Sequence, residues 1–324
     1  MTQELSRAVS FGKNPGEVAH NVITVRGGDP DALELRVFFH SHLGLNGTST
    51  LICGKEDAIL VSATILPSDG HRLAAGILET ERNLTHIVVP EFHPDHWFSL
   101  ALFQDAFPKA RIVAMQSVAR DCLYSSTDKF DQWSKLDEGK NFPSRLCFPM
   151  PLSSGHLEIE GRAVELSDGW NADMMNETVV WIPSIRAAIP SDLVFYEAFP
   201  WTIESDVNRR QAWRADLKKL RAMKPRIVIP GHTTIDRFTA EGTSAIDWTV
   251  AYLDDFDDAL AKATTGDQLV EDMESRYPGI EAIRSGLHWH ARILFPDSCS
   301  DRIRPLPGVF HTITRSESGE IVYR

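Results

Sequence analysis

Thr85 to Ala101 reads T-H-I-V-V-P-E-F-H-P-D-H-W-F-S-L-A, and this stretch decides the fold. Ile87, Val88 and Val89 form a β-branched run that stops at Pro90, and an apolar-periodic segment follows from Trp97. Between them Glu91, His93, Asp95 and His96 place four metal-ligand side chains within six residues. The pattern is strand, ligand-bearing loop, helix start. In an extended loop the alternation of Glu91, His93 and Asp95 points three side chains one way, and His96 at the helix opening can turn back toward them. Hard carboxylate oxygens beside borderline imidazoles suit zinc, iron or manganese.

Working outward, the N-terminal side reads as a β-meander. Strand-like runs at 21–25, 35–39, 48–53 and 58–62 are separated by the turn sequences G-G-D-P, G-L-N-G and G-K-E-D. His40 and His42 share a face at the end of one run but have no acidic companion. A helical pattern over 69–82 then leads into the Thr85 strand. On the other side the spacing predicts a helix over 95–107, a strand over 111–115, and a helix from Ser117 as N-cap to Tyr124. Residues 125–151 mix charge, proline and aromatics without clear periodicity and read as an excursion that could cover a site. A hairpin is expected at 156–160 and 163–166 around Gly161-Arg162.

Polar residues recur where later strands end. Asp173 precedes a strand at 178–182, and Asp192 follows one at 187–189. The tight turn at Pro183-Ser184 brings both aspartates to one sheet edge. After a helix at 207–223, the buried run P-R-I-V-I-P (225–230) ends in Gly231-His232. Polar groups at several strand ends on one side of a sheet are where α/β proteins build sites. From Ser244 the chain reads as three helices, 246–263, 266–277 and 280–294, followed by a short hairpin around Ser318-Gly319. His288 and His290, two apart on a helix, point away from one another and cannot chelate together.

The order of these features resembles the metallo-β-lactamase-fold hydrolases, whose motif is H-x-H-x-D-H followed by a histidine, a bridging aspartate and a last histidine. The resemblance runs over about residues 20–235. His93, Asp95 and His96 match the first motif, Asp192 the bridging aspartate and His232 the last histidine. Glu91 stands where a histidine is usual, and Asp173 where the lone histidine is missing. The resemblance implies an α/β four-layer αβ/βα sandwich, with a catalytic domain at 1–240 and a C-terminal helical extension at 241–324 packed on it. It also implies two divalent metal ions, one on Glu91, His93 and Asp173, the other on Asp95, His96 and His232, with Asp192 bridging.

Zinc is the ion the family supplies, with manganese or iron admitted. The four carboxylates bring −4, which favours harder ions and an alkaline optimum. The implied reaction is hydrolysis of an ester, lactone, thioester or amide of a small molecule by a metal-bridging hydroxide, with Asp95 and Asp192 as catalytic residues. Lactonases of the fold often carry a tyrosine three residues after the bridging aspartate. Here Phe195 holds that place and Tyr196 follows. Trp97, Trp170, Phe195, Tyr196 and Trp201 are candidate walls of an apolar pocket. Two alternatives are an iron-dependent oxidase or dioxygenase and a relic of the fold without turnover.

Composition bounds the partners. The 324 residues are 43% hydrophobic and carry a formal net charge of −12 without a basic block, which argues against nucleic acid or an anionic membrane as the main partner. Cys53, Cys122, Cys147 and Cys299 form no C-x-x-C pair and are expected to be reduced. No targeting segment or membrane span is evident, so the expectation is a cytoplasmic protein acting on a small molecule, with a homodimer possible.

Overall fold

The computed structural model describes residues 9–10, 21–26, 32–304, 313–315 and 321–323. The turn proposed at Ser318-Gly319 lies outside them, although the flanking strands Ile313–Arg315 and Ile321–Tyr323 do pair antiparallel.

Eight strands form the first sheet in chain order: β1 Val9–Ser10, β2 Val22–Arg26, β3 Glu34–Phe39, β4 Thr48–Cys53, β5 Asp57–Val61, β6 Asn83–Val89, β7 Arg111–Met115 and β8 Met150–Leu152. β1 to β5 are an antiparallel meander, whereas β5 to β8 run parallel, because helices now make the crossovers. The second sheet comprises β9 His156–Ile159, β10 Arg162–Trp170, β11 Glu177–Ile182, β12 Ala187–Ile189 and β13 Ile227–Val228, with only the β12–β13 pair parallel. The helices are α1 Pro67–Leu78, α2 Leu100–Ala106, α3 Gln116–Trp133, α4 Val207–Ala222, α5 Ser244–Lys262, α6 Gly266–Arg276 and α7 Arg284–Leu294.

Alternation along the central strands builds the layers. Ile52, Ile59, Val61, Val88 and Val113 of the first sheet meet Val164, Val180, Ile182, Ala187 and Ile227 of the second in one apolar cluster. Their neighbours Leu51, Leu60, Ile87, Ile112, Val179, Ala188 and Val228 face the opposite way and pack with helical residues such as Leu73, Phe103, Val118, Trp213 and Leu217. Strands buried on both faces explain the near-continuous apolar runs of the sequence. The result is a four-layer αβ/βα sandwich. Tyr252, Phe256, Leu269, Met273, Leu287 and Ala291 of the three C-terminal helices form a separate cluster with Phe199.

Several expectations need correction. The helix expected over 95–107 is a 3₁₀ turn, Pro94–His96, followed after a break by α2. α3 begins at Gln116, its N-cap is Met115 rather than Ser117, and it continues past Tyr124 to Trp133. Phe130 and Trp133 pack into the core from its last turns, so tertiary burial overrides the weak helix propensity of Ser125-Ser126-Thr127. α7 starts at Arg284, four residues later than Ile280. All four cysteines are free. Among the described residues no helix is long and apolar enough to cross a membrane.

Candidate metal centre

Each ligand segment is fixed by backbone bonds at a strand end. Pro90 closes β6 and has no N–H to offer, while its carbonyl accepts from Thr178 N at 2.8 Å, tying the first sheet's loop to the start of β11. Pro94 opens the 3₁₀ turn that presents Asp95 and His96, and Trp97 Nε1 donates to Phe92 O at 2.8 Å, clamping that turn from below. Asp192 sits in a short turn after β12. Gly231, after β13, passes so close that an added Cβ would stand 2.5 Å from Asp192 Oδ1 and 2.6 Å from the Ser191 carbonyl. Only glycine fits there, which accounts for the G-H order at 231 and 232.

The structure brings all seven sequence-derived candidates together, buried, as two groups able to hold a metal ion: Glu91, His93 and Asp173; and Asp95, His96, Asp192 and His232. In the first group His93 Nδ1 is 3.2 Å from Glu91 Oε2 and 3.1 Å from Asp173 Oδ2. In the second, His96 Nε2 is 3.2 Å from Asp192 Oδ1 and 3.6 Å from Asp95 Oδ2, and His232 Nε2 is 3.0 Å from Asp192 Oδ2 and 3.4 Å from Asp95 Oδ2.

The outward nitrogens of His232 and His96 are hydrogen-bonded, and that of His93 faces a carboxylate. His232 Nδ1 lies 2.8 Å from Leu45 O, an acceptor only, so Nδ1 carries the proton and Nε2 is the ligand atom. His93 Nε2 lies at an ion-pair distance of 3.2 Å from Glu204 Oε2 without a hydrogen bond, while its Nδ1 faces Glu91 and Asp173. His96 Nδ1 is 2.9 Å from Ser62 Oγ and 3.4 Å from Ser191 Oγ. Both serines hold positive φ, +68° and +48°, an uncommon conformation retained where their hydroxyls meet one imidazole. Asp69 anchors the loop that carries Leu45: its carboxylate accepts from Ser41 Oγ at 2.7 Å and pairs with Arg72.

Electrostatics follow from burying these groups against one another. Burial alone would depress the imidazoles, but the facing carboxylates outweigh it and raise all three: Glu91, Asp173 and Glu204 for His93, Glu91, Asp192 and Asp95 for His96, Asp192 and Asp95 for His232. Burial would raise Glu91, yet His93 and His96 hold it at about 2, whereas for Asp173 burial prevails and lifts it to about 6. Imidazoles held this strongly by carboxylates sit in a field that favours a bound cation. The inward atoms Glu91 Oε1 and Oε2, His96 Nε2, both Asp173 oxygens and Asp192 Oδ1 are buried without a hydrogen-bond partner. Buried orphaned donors of this kind are what a metal satisfies, so the donor set fits divalent ions.

Above the centre lies a cavity of ≈ 10 Å³, lined by His93, Asp95 and His232 and walled by Trp133, Trp201, Ile283 and Trp289. Of the five aromatics expected to wall it, only Trp201 does. Trp97 is fully buried against Phe98 and Phe148. Trp170 is buried with Lys219 over its ring, Phe195 stacks on the back of His232 at 5.0 Å, and Tyr196 packs on Trp248. Proximity in sequence to a ligand says nothing of direction, and these rings serve as core. His40, with Nε2 2.7 Å from Ser49 Oγ, joins neither group, and His42 is exposed.

Three contributors escaped the sequence reading. Glu204 joins His93 to Lys129 Nζ at 2.8 Å and to Trp201 Nε1 at 2.7 Å. Lys129 arrives from the part of α3 read as irregular. Glu177 is wholly buried beside Asp173, and burial, then the Asp173 charge, push its carboxyl well above the usual range. A glutamate opening a β-branched strand was the one available signal for it.

A four-layer αβ/βα sandwich with these ligand groups at its strand ends is the metallo-β-lactamase fold. Solved structures of that fold superpose on the chain. A metallo-β-lactamase from Pontibacter korlensis is 14% identical with a TM-score of 0.53, covering 72% of this chain and 99% of its own. The DIM-1 metallo-β-lactamase exposed to ceftazidime is 15% identical at a TM-score of 0.50, covering 72% and 97%. A metallo-β-lactamase family protein from Thermus thermophilus is 15% identical at 0.52, covering 81% and 90%. No protein-family model and no curated protein matches the sequence. At these identities the likeness concerns the fold.

Proposed function

We propose that this protein is a dinuclear metal-dependent hydrolase that cleaves an ester, lactone, thioester or amide bond of a small molecule. The observation that carries the reading is the cluster of buried donor atoms without hydrogen-bond partners, both oxygens of Glu91 and of Asp173, Asp192 Oδ1 and His96 Nε2, faced by two histidines whose outer nitrogens are hydrogen-bonded to Ser62 Oγ and Leu45 O. A pair of divalent ions held by Glu91, His93, Asp173, Asp95, His96, Asp192 and His232 would supply an activated water and a Lewis acid for a carbonyl oxygen. The chain's own groups do the rest. Asp95, facing the cavity, can accept and return a proton at Oδ2. Trp133, Trp201 and Trp289 exclude bulk water and offer flat apolar surface to a substrate. Four carboxylates among the seven ligands favour manganese or iron over a pure zinc pair.

Elemental analysis of protein purified without added metal, then activity on an ester and lactone panel after chelation and reconstitution, tests this. Acid release, read as base consumption, restored by two equivalents of metal is expected. Oxygen uptake with a thiol substrate and no acid release from the ester panel would favour oxidation instead, and a chain that takes up no metal would sink the proposal.

A further inference from the structure

In the fold's usual arrangement an aspartate at the Asp192 position spans the two ions. From the placement of the carboxylate oxygens we infer that in this chain Glu91 is the residue that bridges them, and that Asp192 belongs to the second ion alone; this rests on the dinuclear reading above.

Neighbouring donors on one ion, each about 2.0–2.2 Å from it and about 90–110° apart, lie roughly 2.8–3.6 Å from each other. Glu91 meets that separation twice, once with each oxygen, on opposite sides. Oε2 is 3.2 Å from His93 Nδ1, the imidazole of the first group, and Oε1 is 2.9 Å from His96 Nε2, an imidazole of the second. Asp192 meets it on one side only: Oδ1 is 3.2 Å from His96 Nε2 and Oδ2 is 3.0 Å from His232 Nε2, both in the second group. Asp173 reaches His93 and does not pair with His96 or His232.

Among the described residues no hydrogen-bond donor engages the Glu91 carboxylate. Its residue is 1% exposed, and neither oxygen has a hydrogen-bond donor. Its backbone is fixed by Pro90 and the Thr178 N–H, so the side chain reaches the gap between the groups from a rigid base. The chemistry explains the departure from histidine at this position. An imidazole offers one inward nitrogen and serves one ion, whereas a carboxylate offers two oxygens and can serve two.

The test compares Glu91→Gln with Asp173→Asn, both near-isosteric, in the full-length protein. Chelator-stripped protein is titrated with Zn²⁺ against a chromogenic chelator, and the two stepwise affinities are read. A bridging Glu91 predicts that the Gln variant binds both ions more than about 100-fold more weakly, since a direct ligand counts for at least as much as an outer partner. The Asn variant should weaken one ion and keep the other at wild-type affinity. If Glu91→Gln also keeps one ion at wild-type affinity, the bridge is wrong. Anomalous diffraction from Mn²⁺-loaded wild-type crystals decides the matter even if a variant misfolds: one Glu91 oxygen on each ion supports the bridge, and both on one ion refute it. Wild type that takes up no ion overturns the dinuclear reading itself, and two ions with Glu91 confined to one overturn the bridge alone.

Discussion

Gly231→Ala is the sharpest probe of how tightly the last ligand segment is fitted. The added methyl carbon would stand 2.5 Å from Asp192 Oδ1 and 2.6 Å from the carbonyl carbon and oxygen of Ser191. Comfortable carbon contacts lie at about 3.5–4.0 Å, so roughly 1 Å must be found. The neighbours have little to give. Ser191 is already at φ +48°, Gly231 N donates to Val194 O at 2.9 Å, and the Asp192 carboxylate faces two imidazoles. Overpacking of this kind costs about 1–3 kcal/mol. At about 2–4 °C per kcal/mol, the melting temperature should fall by roughly 2–12 °C. Moving Asp192 should also weaken metal binding about 10–100-fold. Gly161→Ala is the control: φ is +77° in the β9–β10 turn and nothing lies within 4 Å of the added carbon, so it should lose about 1 kcal/mol and no metal affinity. Thermal melts with Zn²⁺ titrations of both variants decide. Wild-type metal affinity in Gly231→Ala, or equal losses in both, would refute the reasoning.

Other expectations follow from single contacts. Ser62→Ala removes the hydroxyl on His96 Nδ1 and should weaken one metal step about 10–100-fold while leaving the far-ultraviolet dichroism unchanged; competition titration reads it. The backbone N–H groups of Lys55, Asp57 and Glu56 hold the Glu160 carboxyl down at about 2. A depressed carboxyl stabilises the fold above its ordinary 4.5 and loses that stabilisation as pH falls from there toward 2. Glu160→Gln should therefore cost about 1 kcal/mol near neutrality, allowing for its partial exposure, and flatten the acid limb of a Tm-against-pH series. Trp289→Ala takes away part of the cavity wall and should cost about 3–5 kcal/mol. In a panel of esters of increasing acyl size, the surviving enzyme should lower KM for the bulkier members; an unchanged size profile would remove Trp289 from the pocket.

What was legible in the sequence is what the backbone alone determines. Glu91, His93, Asp95 and His96 are contiguous, and their strand-to-helix setting is a local property. Asp173, Asp192 and His232 could be gathered because strand ends in an alternating pattern share an edge. Glu204 and Lys129 could not, since one comes from a loop and the other from a helix that meets Phe92 through Lys129 and Trp201 through Trp133, contacts set by packing. The aromatics failed for a related reason. Phe195 and Trp201 look equivalent beside the ligands, but one stacks on the outer face of His232 and the other turns into the cavity. The division of labour between Glu91 and Asp192 was hidden because it depends on where individual oxygens point, and residue identity does not encode that.

The cavity wall has a consequence for how this protein could diversify. The side chains able to hold metal, Glu91, His93, Asp95, His96, Asp173, Asp192 and His232, lie on the rims of two sheets, while much of the enclosure comes from Trp133 at the end of α3 and from Ile283 and Trp289 at the head and in the middle of α7. A chamber of ≈ 10 Å³ has room for about one water, so a substrate of the proposed kind would need those walls to move. Ile283 stands at φ +56° at the head of α7, a conformation that costs a β-branched residue about 1–2 kcal/mol. The ligand rims and the enclosing helices are separate stretches of chain, so selection can retune what is admitted without rewriting what is done to it.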